Sequence, residues 1–162
     1  MPLTADRSRQ RPPPAVFLDS GSFTEIDGKF SPDGHWVTYT SNESQRYEIY
    51  ITAFPGPSGK RQISVDGGTN PRWSADGKEI FYVDLNFTLQ AAEIINKGGT
   101  IEVGQIRPIV RGLANQRGYL FDVSKDGTRF LADLVTNALQ PQRGDFSEPL
   151  TLISNWPALL KK

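Results

Sequence analysis

Cysteine is missing altogether from the 162 residues, and histidine and methionine occur once each. Without thiols there is no disulfide framework, no thiolate nucleophile and no cysteine-ligated zinc, and the redox character of the compartment leaves no trace. Net charge is missing as well. The 18 basic and 18 acidic side chains cancel, so no basic field stands ready to release counterions from a phosphate backbone, and nucleic acid is not an expected partner. Long apolar runs are also lacking: none approaches the ~20 residues of a membrane span, and the N-terminus has no short apolar stretch of a secretory signal. The chain as written is therefore expected not to insert into a membrane, and its residues by themselves name no compartment.

What is present is ordinary core material, 37% hydrophobic with 10% aromatic residues, enough for one globular domain. Residues 1–14 stand apart. Arg7, Arg9 and Arg11 beside Pro12, Pro13 and Pro14 bury too little apolar area to offset ordering entropy, so a solvated, disordered Arg/Pro-rich tail is expected there, rather than an SH3-type ligand or a nucleic-acid arm.

Residues 15–162 contain an internal repeat. Three segments align without gaps: FSPDGHWVTY from Phe30, WSADGKEIFY from Trp73 and VSKDGTRFLA from Val123. The spacing is 43 residues from Asp33 to Asp76 and 50 from Asp76 to Asp126. Periods of this length in β-rich units belong to propeller blades of four strands each. The chemistry of each repeat explains the reversal. The Asp-Gly pairs Asp33-Gly34, Asp76-Gly77 and Asp126-Gly127 combine a side chain that bonds nearby backbone amides with a residue free to take positive φ, and strand formers such as Trp36, Val37, Tyr39, Ile80, Phe81 and Phe130 follow.

Further strands are expected over Tyr47–Thr52 and Thr88–Ile95, with weaker outer strands near Arg61–Ser64 and Arg107–Val110. The fold class is thus all-β: a partial β-propeller of about three blades made of antiparallel four-stranded sheets. The blades fall near 25–64, 70–110 and 118–156, and the third is incomplete. Asn137–Ser147 carries Pro141, Gly144 and charged or amide side chains, reading as a long exposed loop. The strand resumes at Leu150–Ile153, and Trp156–Leu160 is expected to form one helical turn.

In order along the chain, FSPDGHWVTYTSNES, IYITAFPGPSGKRQIS, DGGTNPRWSADGKEIFY and LTLISNWPALLKK resemble the TolB-like, WD-like β-propeller region of bacterial eukaryotic-type serine/threonine protein kinases. The likeness covers about residues 17–162. It implies a sensor-like propeller outside the membrane, preceded in a full-length parent by a membrane span and a kinase domain. Ser-Pro-Asp-Gly turns also occur in TolB itself and in prolyl-oligopeptidase-type enzymes. Ala75 and Lys125 replace the turn proline of the family, and His35 stands where Lys or Arg is usual.

No residue set for catalysis accompanies the repeats. A GxxxxGK[ST] loop, HRD and DFG segments and a GxSxG elbow are all lacking, so kinase or hydrolase chemistry is not expected from these residues. The one histidine, His35, has Lys78 and Thr128 as repeat equivalents and is read as a solvated turn residue, not a base or ligand. Asp33, Asp76 and Asp126 offer one carboxylate per blade where calcium needs six to eight gathered oxygens, so turn stabilisation is their expected role. No metal and no cofactor are expected. Trp36, Tyr39, Trp73, Phe81 and Tyr82 are read as inter-blade core rather than as a ligand platform.

The expected function is that of a non-enzymatic scaffold or sensor module binding a protein or peptide through loops on one face. Those loops precede the first strand and join the second to the third, and they include Asn42, Glu43, Arg46, Thr69, Asn70, Asp84, Asn86, Asn115 and Arg117. The alternatives are an accessory propeller of a larger kinase or peptidase, and a truncated product without independent function. Three blades do not close a ring, so self-association or covalent continuation into further blades is also expected.

Overall fold

The computed structural model describes residues 14–19, 21–114, 120–135 and 150–154. Eleven strands and no helix occur among them, forming three antiparallel sheets. The first contains β1 (Glu25–Phe30), β2 (Trp36–Ser41), β3 (Glu48–Ala53) and β4 (Arg61–Gln62) in that order. The second contains β5 (Thr69–Trp73), β6 (Glu79–Val83), β7 (Thr88–Asn96) and β8 (Ile101–Arg111). The third is three-stranded, with β10 (Arg129–Asp133) between β9 (Phe121–Val123) and β11 (Leu150–Ser154). Each sheet is a sequential meander, and the sheets pack face to face in chain order, as blades of a propeller do. The long loop expected at Asn137–Ser147, the helical turn at Trp156–Leu160 and residues 1–13 of the tail lie outside the described residues.

Alternation along the strands assigns each sheet face to a neighbour. Trp36, Ile49 and Ile51 of blade one pack with Ile80, Tyr82, Ala92 and Ile94 of blade two. On the opposite face of blade two, Phe81, Val83, Leu89 and Ala91 pack with Phe121, Phe130, Ala132 and Ile153 of blade three. Phe81 and Phe130 meet edge to face at 4.9 Å, a geometry that suits the ring quadrupoles. Of the aromatics expected between blades, Tyr39 differs. It pairs across strands with Tyr50, stacks on it at 5.8 Å and points away from blade two, onto the outer face of blade one. The segment Pro14–Asp19 runs over that face, where Phe17 packs 5.3 Å from Phe54 and Phe54 in turn 4.9 Å from Phe30.

The three Asp-Gly hairpins share one hydrogen-bond pattern. Ser31, Ser74 and Ser124 donate their hydroxyls to Oδ1 of Asp33, Asp76 and Asp126. The same oxygens accept the amides of His35, Lys78 and Thr128 at 3.0–3.1 Å. Each serine hydroxyl also accepts the amide that opens the next strand, from Trp36, Glu79 or Arg129. Gly34, Gly77 and Gly127 stand at φ 73, 71 and 68, where a Cβ is penalised.

Three departures from the expected strands have local causes. The outer strand of blade one stops at Gln62 rather than Ser64, because Ile63 and Ser64 turn inward and are buried. The outer strand of blade two begins at Ile101 and not near Arg107; it is an edge strand, which tolerates Pro108. Thr69 and Asn70, expected on a loop, open β5 instead. Asn70 and its repeat equivalent Asp27 both take φ 57 where the first strand slips register against the second, a bulge in each of two blades.

Candidate functional site

The ends of the blades opposite the Asp-Gly turns carry most of the residues named from sequence, and between blades one and two these ends are tied together. The tie is Glu48, the residue that opens β3 and is 0% exposed. Arg46 Nε lies 2.6 Å from its Oε1, the Gly67 amide donates to both carboxylate oxygens at 3.0 Å, and the Ser64 hydroxyl donates to Oε2. Ser64 Oγ in turn accepts the Ile49 amide at 2.8 Å. Arg46 also donates through Nη2 to the Val65 carbonyl, and the Gly68 amide donates to the Tyr47 carbonyl at 2.9 Å. A buried carboxylate with three kinds of donor thus clamps the crossing from blade one to blade two against the β2–β3 loop.

The remaining named residues are mostly engaged in holding their own loops. Asn42 Oδ1 accepts the Thr24 amide at 2.8 Å, and its carbonyl accepts the amide of Gln45. Glu43 accepts Lys60 Nζ at 2.7 Å. Asp84 Oδ1 accepts the amides of Asn86 and Thr88 at 2.8 and 2.9 Å, while Oδ2 accepts Gln90 Nε2. Asn86 is exposed at the tip of the β6–β7 loop, whereas Thr69 and Asn70 are half-buried on β5. Asn115 and Arg117 lie outside the described residues. Burial pushes the Tyr82 phenol well above its ordinary range, with a further push from Asp84, Glu48 and Asp66.

The sequence reading favoured polar residues and missed the apolar ones at this end. Tyr47, Val65 and Leu85 are 39%, 61% and 58% exposed. All three surround the crossing: Tyr47 and Val65 through their carbonyl bonds to Gly68 and Arg46, and Leu85 through its side chain lying against Gly67. Glu48 itself was legible, as the lone charge opening the apolar run from Ile49 to Ile51.

Ser64 against Glu48 is a hydroxyl beside a carboxylate, but both are fully buried, and the hydroxyl is held between its donor and acceptor bonds. Among the described residues no group of three His, Cys, Asp or Glu side chains gathers to hold a metal ion. His35 is exposed at the opposite, Asp-Gly end. That end has a cavity of about 510 Å³ between blades one and two, with Trp36, Trp73, Asp33, Asp76 and Glu93 among its lining. Trp73 Nε1 of blade two donates to the Lys29 carbonyl of blade one at 3.3 Å.

No protein-family model and no curated protein matches the sequence. Solved structures similar to the chain include a lyase and a putative TolB. An oligogalacturonate lyase from Vibrio parahaemolyticus is 17% identical over 64% of this chain and 26% of its own, with a TM-score of 0.48. A putative TolB from Agrobacterium tumefaciens is 16% identical over 81% of this chain and 47% of its own, with a TM-score of 0.57. The chain therefore spans less than half the length of either, and at this identity the second likeness is one of fold. Three meandering sheets stacked in chain order, together with that likeness of fold, give the described residues the architecture of part of a β-propeller.

Proposed function

We propose that the chain is a non-catalytic propeller module that binds a protein or peptide partner through the loop end joining blades one and two. The observation that carries this reading is the exposure of Tyr47, Val65 and Leu85 around a backbone clamped by buried Glu48. Apolar anchors on a rigid base with a polar rim, here Glu43, Asp66 and Asn86, are the usual anatomy of a protein-binding patch, and a clamped loop loses little entropy when it docks. A second reading, an accessory propeller of a larger serine/threonine kinase or prolyl-oligopeptidase-type peptidase, is supported by the order of the four kinase-like sequence segments. It carries an extracytoplasmic location with it.

The test is a peptide array probed with the labelled chain and with a Val65→Asp, Leu85→Asp variant. Both positions are exposed, so the variant should melt within about 0.5 kcal/mol of the original. The expected result is a discrete set of peptides bound by the original and lost by the variant; equal binding by both would overturn the assignment of this end.

A further inference from the structure

The blade-to-blade contact occurs twice within the chain, and its residues follow the repeat. Four and six positions after the turn aspartate, Ile80 and Tyr82 face the preceding blade, as do Phe130 and Ala132. Five positions after it, Phe81 faces the following blade together with its cross-strand partner Ala91. Blade one uses Thr38 and its partner Ile51 in the same way. The turns follow suit. A Cβ at Gly77 would lie 3.7 Å from Pro32 of the preceding turn, and one at Gly127 would lie 4.0 Å from Ser74.

At the two ends of the arc these positions meet no blade among the described residues. In blade three the equivalents of Phe81 and Ala91 are Leu131 and Leu152, a cross-strand pair 42% and 60% exposed. In blade one the equivalents of Ile80 and Tyr82 are Val37 and Tyr39, and Gly34 has nothing within 4 Å among the described residues. The segment Pro14–Asp19 lies there in place of a blade; Val37 and Tyr39 are buried at 7% and 2% exposure, but the cover is incomplete. An open groove of about 420 Å³ is lined by Val16, Phe17 and Leu18 of the segment and by Val37 and Tyr39 of the sheet, and Phe30 stays 59% exposed.

We infer that these two end faces are partners, and that the occupant of each is a second copy of this chain. Blade three of one copy seats on blade one of the other, with its Lys125 turn beside Gly34 and with the Pro14–Asp19 segment displaced. The contact continues an interface the chain already makes twice, so its shape is set by the repeat. Two such junctions close a ring of six blades, within the four to eight at which propellers close, whereas three blades close none. A net charge of zero leaves no long-range repulsion between copies.

The absence of cysteine makes the test direct. Single-cysteine variants His35→Cys and Lys125→Cys, both at exposed turn positions, are mixed and treated with a short bis-maleimide. The expected result is a cross-linked dimer from the mixture and none from either variant alone, because the junction joins unlike faces. Sedimentation of the original chain should show a species of twice the chain mass growing with concentration. Leu131→Glu with Leu152→Glu should abolish it, and Phe17→Ser, which loosens the covering segment, should increase it. A chain that stays monomeric across the micromolar range even with Phe17→Ser would overturn the inference and leave the face to its own N-terminal segment. Cross-linking of either variant to itself would overturn it in favour of like-to-like packing.

Discussion

Glu48 and Gly68 show how single residues hold the joint between the first two blades. Glu48 satisfies Ser64 Oγ and the Gly67 amide where no water reaches, and leaving such buried groups unpaired costs about 1–3 kcal/mol. Glu48→Ala should therefore destabilise the chain by about that amount in urea denaturation, and Glu48→Gln, which keeps the shape and one acceptor, by less. A Glu48→Ala midpoint equal to the original would show that the clamp contributes nothing. At Gly68 a Cβ would come within 2.6 Å of Ser64 Oγ and 2.8 Å of Ile49 Cγ1, so Gly68→Ala must push a core isoleucine. Overpacking of this kind costs about 1–3 kcal/mol, and an unchanged melting temperature would mean the joint yields freely. Neither role is legible in a linear reading: a glutamate opening an apolar strand beside Arg46 is visible, but the donors that bury it, Ser64 and Gly67, lie 16 and 19 residues away.

The Asp-Gly hairpin is the element that repeats most faithfully, and its serine is as much a part of it as its aspartate. Hydroxyl donation from Ser31, Ser74 and Ser124, followed by backbone amides, holds Asp33, Asp76 and Asp126 below the ordinary carboxyl value of 3.8, Asp126 at about 2. A carboxyl depressed in the folded state stabilises fully above its unfolded value and loses that contribution as pH falls through the folded one. The melting temperature should accordingly drop between about pH 4 and pH 2. Asp76→Asn, which does not titrate, should melt lower at neutral pH but show a shallower drop in that window; an equal slope would remove the turns from the acid response. At this scale the sequence was informative, because hairpin bonds span two to five residues. The bulges at Asp27 and Asn70 were not foreseen, since they arise from the pairing of strands rather than from the residues at the slip.

As a whole, the molecule has a stacked core and no described constellation of nucleophile and base, and the exposed His35 sits in a turn whose equivalents are Lys78 and Thr128. The purified chain is expected to show no ATP hydrolysis, phosphotransfer or peptidase turnover; turnover that vanishes in His35→Ala would contradict the non-catalytic reading. By itself the sequence determined the number of units, their all-β character and their turns, because period, β-propensity and Asp-Gly chemistry are local properties. It also determined which strand positions are apolar. Only the tertiary structure decided which neighbour each face meets, that Tyr39 points outward beneath Pro14–Asp19, and that Tyr47, Val65 and Leu85 gather beside a buried Glu48. Those facts depend on packing between segments distant in the chain, where an exposed leucine and a core leucine read alike until the sheets are stacked.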